Sequence, residues 1–81
     1  MQQSRVHEGI DVYAAFMGGK IAPRAFRWSG RTYNIEHIHQ HWTGRNGNIM
    51  LYYFAVTSGG NAYKLCLNSQ QMEWMLEEVY A

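Results

Sequence analysis

The chain has 81 residues, a formal net charge of +1, and a composition that is 47% hydrophobic and 15% aromatic. That length allows one domain, and the apolar content excludes a disordered chain. One cysteine, Cys66, excludes an intrachain disulfide, and the near-neutral charge lies below what dedicated nucleic-acid binders carry.

Residues 1–8 are mostly polar and are expected to form a flexible N-terminal segment of a single domain spanning 1–81. Met1–Arg5 is not read as a signal peptide, and the apolar runs fall short of the roughly 18–20 residues a membrane helix needs. A domain this small with one cysteine fits a reducing compartment, so a cytoplasmic location with no membrane partner is expected.

From Gly9 to Met17 the residues alternate, with Ile10, Val12, Ala14 and Phe16 on one face and Asp11, Tyr13 and Ala15 on the other. This predicts a half-buried strand, ended by a Gly18–Gly19 turn. Pro23–Ile35 predicts a hairpin turning at Ser29–Gly30. Phe26, Trp28, Tyr33 and Ile35 lie on one side, and Arg27 and Thr32 on the other. Pro23 cannot donate to a ladder, so it belongs at a strand start or on an edge.

The strand is expected to run on through Glu36–His39, where Ile38 falls out of phase with Tyr33 and Ile35. Either a bulge resets the register there or both faces are covered. Thr43–Asn48 is polar and glycine-containing, and predicts an exposed, mobile loop. Ile49–Thr57 is apolar on both faces, which predicts a central strand covered on both sides. A Ser58–Asn61 turn follows, and then a strand from Ala62 to Leu67 with Tyr63, Leu65 and Leu67 facing in.

The tail carries two patterns. Asn68 with Gln71 resembles a capping box, and Met72, Met75, Leu76 and Val79 recur at helical spacing. Trp74, Leu76 and Tyr80 fit a strand with one bulge. Local pattern alone favours a helix over 69–80.

The block Pro23-x-x-Phe26-x-Trp28-x-Gly30-Arg31-x-Tyr33-x-Ile35, followed by Trp42, resembles a family of short bacterial proteins of unknown function, some encoded beside translesion DNA polymerase genes. Tyr53-Phe54, Gly59-Gly60, Tyr63-Lys64-Leu65 and Trp74-Met75-Leu76-Glu77-Glu78-Val79-Tyr80 match later parts of that family's pattern. The resemblance implies an all-β antiparallel meander, a half-barrel of five or six strands with the tail as its last strand. An α+β fold with a C-terminal helix at 69–80 is the alternative. The family supplies no mechanism, only a genomic link to DNA repair, and no histidine-rich pattern.

His37, His39 and His41 are the first candidates for chemistry. Alternate strand residues share a face about 6.5–7 Å apart, so three imidazoles there could approach one divalent metal, with His7 or Glu36 as a fourth ligand. The plainer reading is three surface strand residues. Cys66 has no neighbour in sequence to activate it and reads as a packed thiol. Asp11 is the only aspartate, and Glu77 and Glu78 should face opposite ways in a strand, so no carboxylate pair is expected. No phosphate-binding loop or other cofactor motif occurs, and an enzyme is not expected.

Two binding readings remain. Lys20, Arg24, Arg27 and Arg31 form a stretch without acids, and Arg45 and Trp42 lie further on. With Tyr13 and Tyr52 as further stacking aromatics, they suggest a site for single-stranded nucleic acid. The other reading is a protein-interaction or assembly module that binds an unknown protein partner or forms a homodimer through open strand edges.

Overall fold

The computed structural model describes residues 3–81, and nearly all of them form antiparallel strands. The strands are β1 (Gln3–Met17), β2 (Lys20–Trp28), β3 (Arg31–Asn34), β4 (His37–Asn46), β5 (Ile49–Ser58), β6 (Asn61–Asn68) and β7 (Glu73–Tyr80). They build one sheet in the order β3-β2-β1-β7-β6-β5-β4. The fold is the expected all-β half-barrel, with seven strands instead of five or six. Among the described residues no helix is long and apolar enough to cross a membrane.

Every sequential neighbour pairs except β3 with β4. There the chain changes partners: the Ile35 amide donates to the Arg24 carbonyl at 2.9 Å, and the next amide, Glu36, donates to the Thr57 carbonyl at 2.8 Å. The sheet thus curls from β2 on one side to β5 on the other, and the gap between the β2 and β4 edges is left as a seam.

Bulges produce the curl, because an extra residue bends its strand and raises the local twist. They fall at Arg24 against β1, at Val6–His7 against β7, at His39 against β5 and at Glu77 against β6. Each changes the phase of alternation. Pro23 and Phe26 therefore both face the core, as do Leu76 and Val79. The core centres on Phe26, Phe54, Val56, Tyr63, Leu65 and Leu76. Phe26 stacks on Tyr33 at 5.0 Å and meets Tyr63 edge-on at 5.1 Å, contacts of about 0.5–1.5 kcal/mol each beyond their burial.

The tail takes the strand reading that the resemblance implies instead of the helix over 69–80, and three other expectations need correction. The tail is a strand: Asn68 Oδ1 does accept from the Gln70 and Gln71 amides, but it caps the tight turn before β7. The Thr43–Asn48 loop shrinks to a turn at Gly47–Asn48, because Thr43–Asn46 continue β4 and pair with Ile49–Tyr52. Within the expected flexible segment 1–8, Gln3–Arg5 pair with Glu78–Tyr80, and residues 1 and 2 lie outside the described residues. β5 stands second from the sheet's end, and its outward residues Leu51, Tyr53, Ala55 and Thr57 are half-buried under neighbouring side chains, not under a second layer.

Candidate functional site

The histidine triplet does not share a face. His37 pairs with Thr57 on the outer side, and His39, the bulged residue, joins it there, with Nε2 3.1 Å from Thr57 Oγ1 and its ring 5.9 Å from that of His37. The bulge resets the phase, so His41 pairs with Phe54 on the core side. Among the described residues no group of three His, Cys, Asp or Glu side chains could hold a metal ion. Of the suggested fourth ligands, His7 is held by Glu77 and Glu36 is exposed at the β3–β4 junction.

The basic residues are dispersed in the same way. Lys20 lies at the seam, in a cleft of about 270 Å3 that it shares with two of the expected stacking aromatics, Trp42 and Tyr52, and with Ile21, His41 and Phe54. Arg24 is the exposed bulge of β2. Arg27 pairs with Asp11 and Thr32, Arg31 pairs with Trp28, and Arg45 sits opposite Met50 near the far end of β4. Trp42 is 39% exposed and stacks on Tyr53 at 5.4 Å, with Lys64 Nζ over both rings.

The outer face carries a cluster that the sequence did not announce. Because Glu77 is bulged, Glu77 and Glu78 line one cleft with Arg5, His7 and Lys64, against the expectation that they face apart. His7 Nδ1 lies 2.5 Å from Glu77 Oε2, and Lys64 Nζ lies 3.6 Å from Glu78 Oε2. The Tyr80 hydroxyl donates to Glu78 and is the main influence holding that carboxyl below its usual range; burial opposes it, and Lys64 and Gln3 add to it. Cys66 lies beside Tyr53 on this face. Burial, with Glu77 nearby, pushes its thiol pKa up, the direction of an unreactive cysteine.

The most exposed apolar feature is an edge. β1 changes partners along its length: Gln3–Ile10 pair with β7, and Asp11–Met17 pair with β2. The β7 ladder ends at Ile10–Trp74, so from Val12 to Phe16 the strand has a neighbour on one side only. A cleft of about 680 Å3 runs along this open side, lined by Ile10, Val12, Ala14, Phe16, Met72 and Trp74. Asp11, Glu73 and Arg27 also line it. Of the six large hydrophobic residues most exposed to solvent among the described residues, Phe16 at 65% and Met72 at 62% line this cleft, and Tyr13 at 60% and Met17 at 62% stand on the other face of the same strand. The alternation at Gly9–Met17 gave the faces of this strand. That it outruns β7 was not legible, because strand length in the partner decides it.

No protein-family model, curated protein or solved structure matches this chain. The resemblance carried by the Pro23–Ile35 block therefore gains nothing from them.

Proposed function

We propose that this chain is a non-catalytic protein-interaction module that captures an extended polypeptide segment along the free edge of β1. The observation that carries the reading is the coincidence of an unpaired strand edge, a cleft beside it, and exposed large apolar side chains on both faces of that strand, Phe16 in the cleft and Tyr13 and Met17 opposite. An open edge offers amides and carbonyls to an added strand, and alternate side chains of that strand give specificity. Natural sheets usually blunt such edges with charge, proline or bulges; Val12–Phe16 holds no charge or proline, and the bulge in its ladder with β2 puts the extra residue on β2, at Arg24.

The occupant implied is a strand with alternate apolar residues, small opposite Phe16, and a basic residue where it meets Asp11 and Glu73. The single-stranded nucleic-acid reading draws on Lys20, Arg24, Arg27, Arg31, Trp42 and Arg45; Lys20 and Trp42 share the seam cleft with Tyr52, while the other four are spread over the β2–β3 hairpin and the far end of β4. The link to DNA repair rests on the family resemblance alone.

Selection of displayed linear peptides against the protein tests the docking reading, with backbone amide spectra as the readout. Peptides of alternating apolar pattern should be enriched and should perturb Val12, Ala14 and Phe16. Enriched peptides that leave those amides unchanged would overturn it, and so would no enrichment by a chain that is monomeric. Salt-dependent binding of a labelled oligothymidylate, lost on replacing Arg24, Arg27 and Arg31, would favour the nucleic-acid reading instead.

A further inference from the structure

We propose that the segment occupying the β1 edge is β1 of a second copy of this chain, added antiparallel about a two-fold axis that passes beside Ala15; this rests on the docking reading above.

The turn fixes which groups face outward. Gly18 and Gly19 have φ of 58° and 74°, the two left-handed residues of a two-residue hairpin turn, and they close on the pair Met17–Lys20. The amide and carbonyl of Met17 therefore face β2. Backbone groups alternate along a strand, so those of Phe16, Ala14 and Val12 point to the open side. Their side chains are the ones that line the cleft.

An isologous contact must be self-complementary. With the axis at Ala15, Ala14 of each copy exchanges both backbone hydrogen bonds with Phe16 of the other, giving four bonds. Each exposed Phe16 ring then lies against an alanine. On the opposite face Tyr13 meets Met17 of the second copy. Three side chains that stand 60–65% exposed in the single chain are covered together, twice over.

The neighbouring register is excluded by what lies at the end of β7. An axis at Ala14 would bring Met17 of the second copy opposite Asp11, where the continuation of the Ile10–Trp74 pairing already places Glu73. The Ala15 axis instead ends the second copy's strand at Met17, opposite Tyr13, and its Gly18–Gly19 turn then leads away to that copy's β2, so no strand residue is forced against Glu73. Bulk thus selects the Ala15 register.

The two Ala15 residues form a non-hydrogen-bonded pair on the axis, the class with Cα atoms about 4.5 Å apart, which a disulfide can span. The test is the full chain carrying Ala15→Cys, oxidised gently, beside a Thr32→Cys control on β3. Native Cys66 is buried and common to both. The Ala15→Cys chain should become a covalent dimer and the control should not. Light scattering should show a dimer for the unmodified chain and a monomer for Phe16→Glu and for Ala14→Pro. A monomer at every concentration overturns the proposal, and so does a dimer in which Ala15→Cys fails to cross-link. If the chain is monomeric yet selected peptides perturb Val12, Ala14 and Phe16, this proposal fails and the docking reading stands. If neither peptides nor a second copy engage the edge, both fail.

Discussion

Replacing Leu76 by alanine separates the two structures that the C-terminal sequence allows. As a helix, residues 69–80 would bury Met72, Met75, Leu76 and Val79 together. As β7, they bury Leu76 completely, while Met72 stands 62% exposed. Leu76 lies between Leu65 on β6 and Glu8 on β1 and belongs to the central apolar cluster. Truncating a fully buried leucine costs about 2–5 kcal/mol, the upper part of the range where neighbours cannot collapse into the space. Strands pinned on both sides have little room to move, so about 3 kcal/mol or more is expected for Leu76→Ala. A chain of 81 residues has roughly 4–12 kcal/mol in total. At about 4–8 °C per kcal/mol for a domain of this size, 3 kcal/mol lowers Tm by about 12–24 °C. Met72→Ala should stay within about 0.5 kcal/mol. Urea unfolding followed by tryptophan fluorescence measures both. Comparable losses for the two variants would refute the strand and the burial argument with it.

Three further outcomes follow from local geometry. Ser29 sits at φ 53° in the β2–β3 turn, a left-handed conformation that asparagine tolerates better, so Ser29→Asn should raise stability by about 0.5–1 kcal/mol, seen as a higher urea midpoint at constant slope. Glu78 has a folded-state pKa below that of the unfolded chain, mainly through the Tyr80 hydroxyl; its stabilisation is present above the ordinary carboxylate value and lost as pH falls through the folded one. Stability should therefore decline below about pH 4.5, and Glu78→Gln should flatten that limb in acid titrations of the urea midpoint. Zinc should produce no joint shift of the His37, His39 and His41 ring signals, because the bulge at His39 sends His41 to the other face; a joint shift would show that the register differs.

What was legible in the sequence follows from where alternation is undisturbed. Ile10 to Phe16, Phe26 with Trp28, and Tyr63, Leu65 and Leu67 keep period two, so the sequence divides each of these strands correctly into two faces and, for Tyr63, Leu65 and Leu67, gives the inward one. The turns at Gly18–Gly19, Ser29–Gly30 and Gly59–Gly60 were legible because glycine marks a left-handed position. The failures cluster at bulges. A bulge turns a spacing of two into a spacing of three between inward residues, and three is also a helical interval. Leu76 and Val79 straddle the bulge at Glu77, and this pair supplied half of the helical signal. Ile38 and His41 straddle the bulge at His39, and the histidine triplet looked one-faced only because alternation was carried through it. The open edge of β1 was beyond reach for another reason: it depends on β7 stopping at Glu73, a long-range fact.

The same reasoning makes a prediction about deletions. Relative to β6, Glu77 is the extra residue: Lys64 pairs with Glu78 and Leu65 with Leu76, with nothing opposite Glu77. Deleting Glu77 leaves that ladder continuous and keeps Trp74, Leu76 and Val79 on the core side. The losses are the His7–Glu77 contact and a local mismatch with β1 around Val6 and His7. Deleting Met75, two residues earlier, instead makes Trp74 and Leu76 adjacent, and adjacent strand residues face opposite ways. One of the two must then leave the core, at the cost of about 2–5 kcal/mol for a large buried side chain, added to the broken register on both sides of β7. The chain lacking Glu77 should keep dispersed amide spectra and unfold cooperatively at lower urea, and the chain lacking Met75 should not fold. If the two deletions behave alike, the bulge is not what sets the faces of β7, and the account of how this sheet curls over its core fails with it.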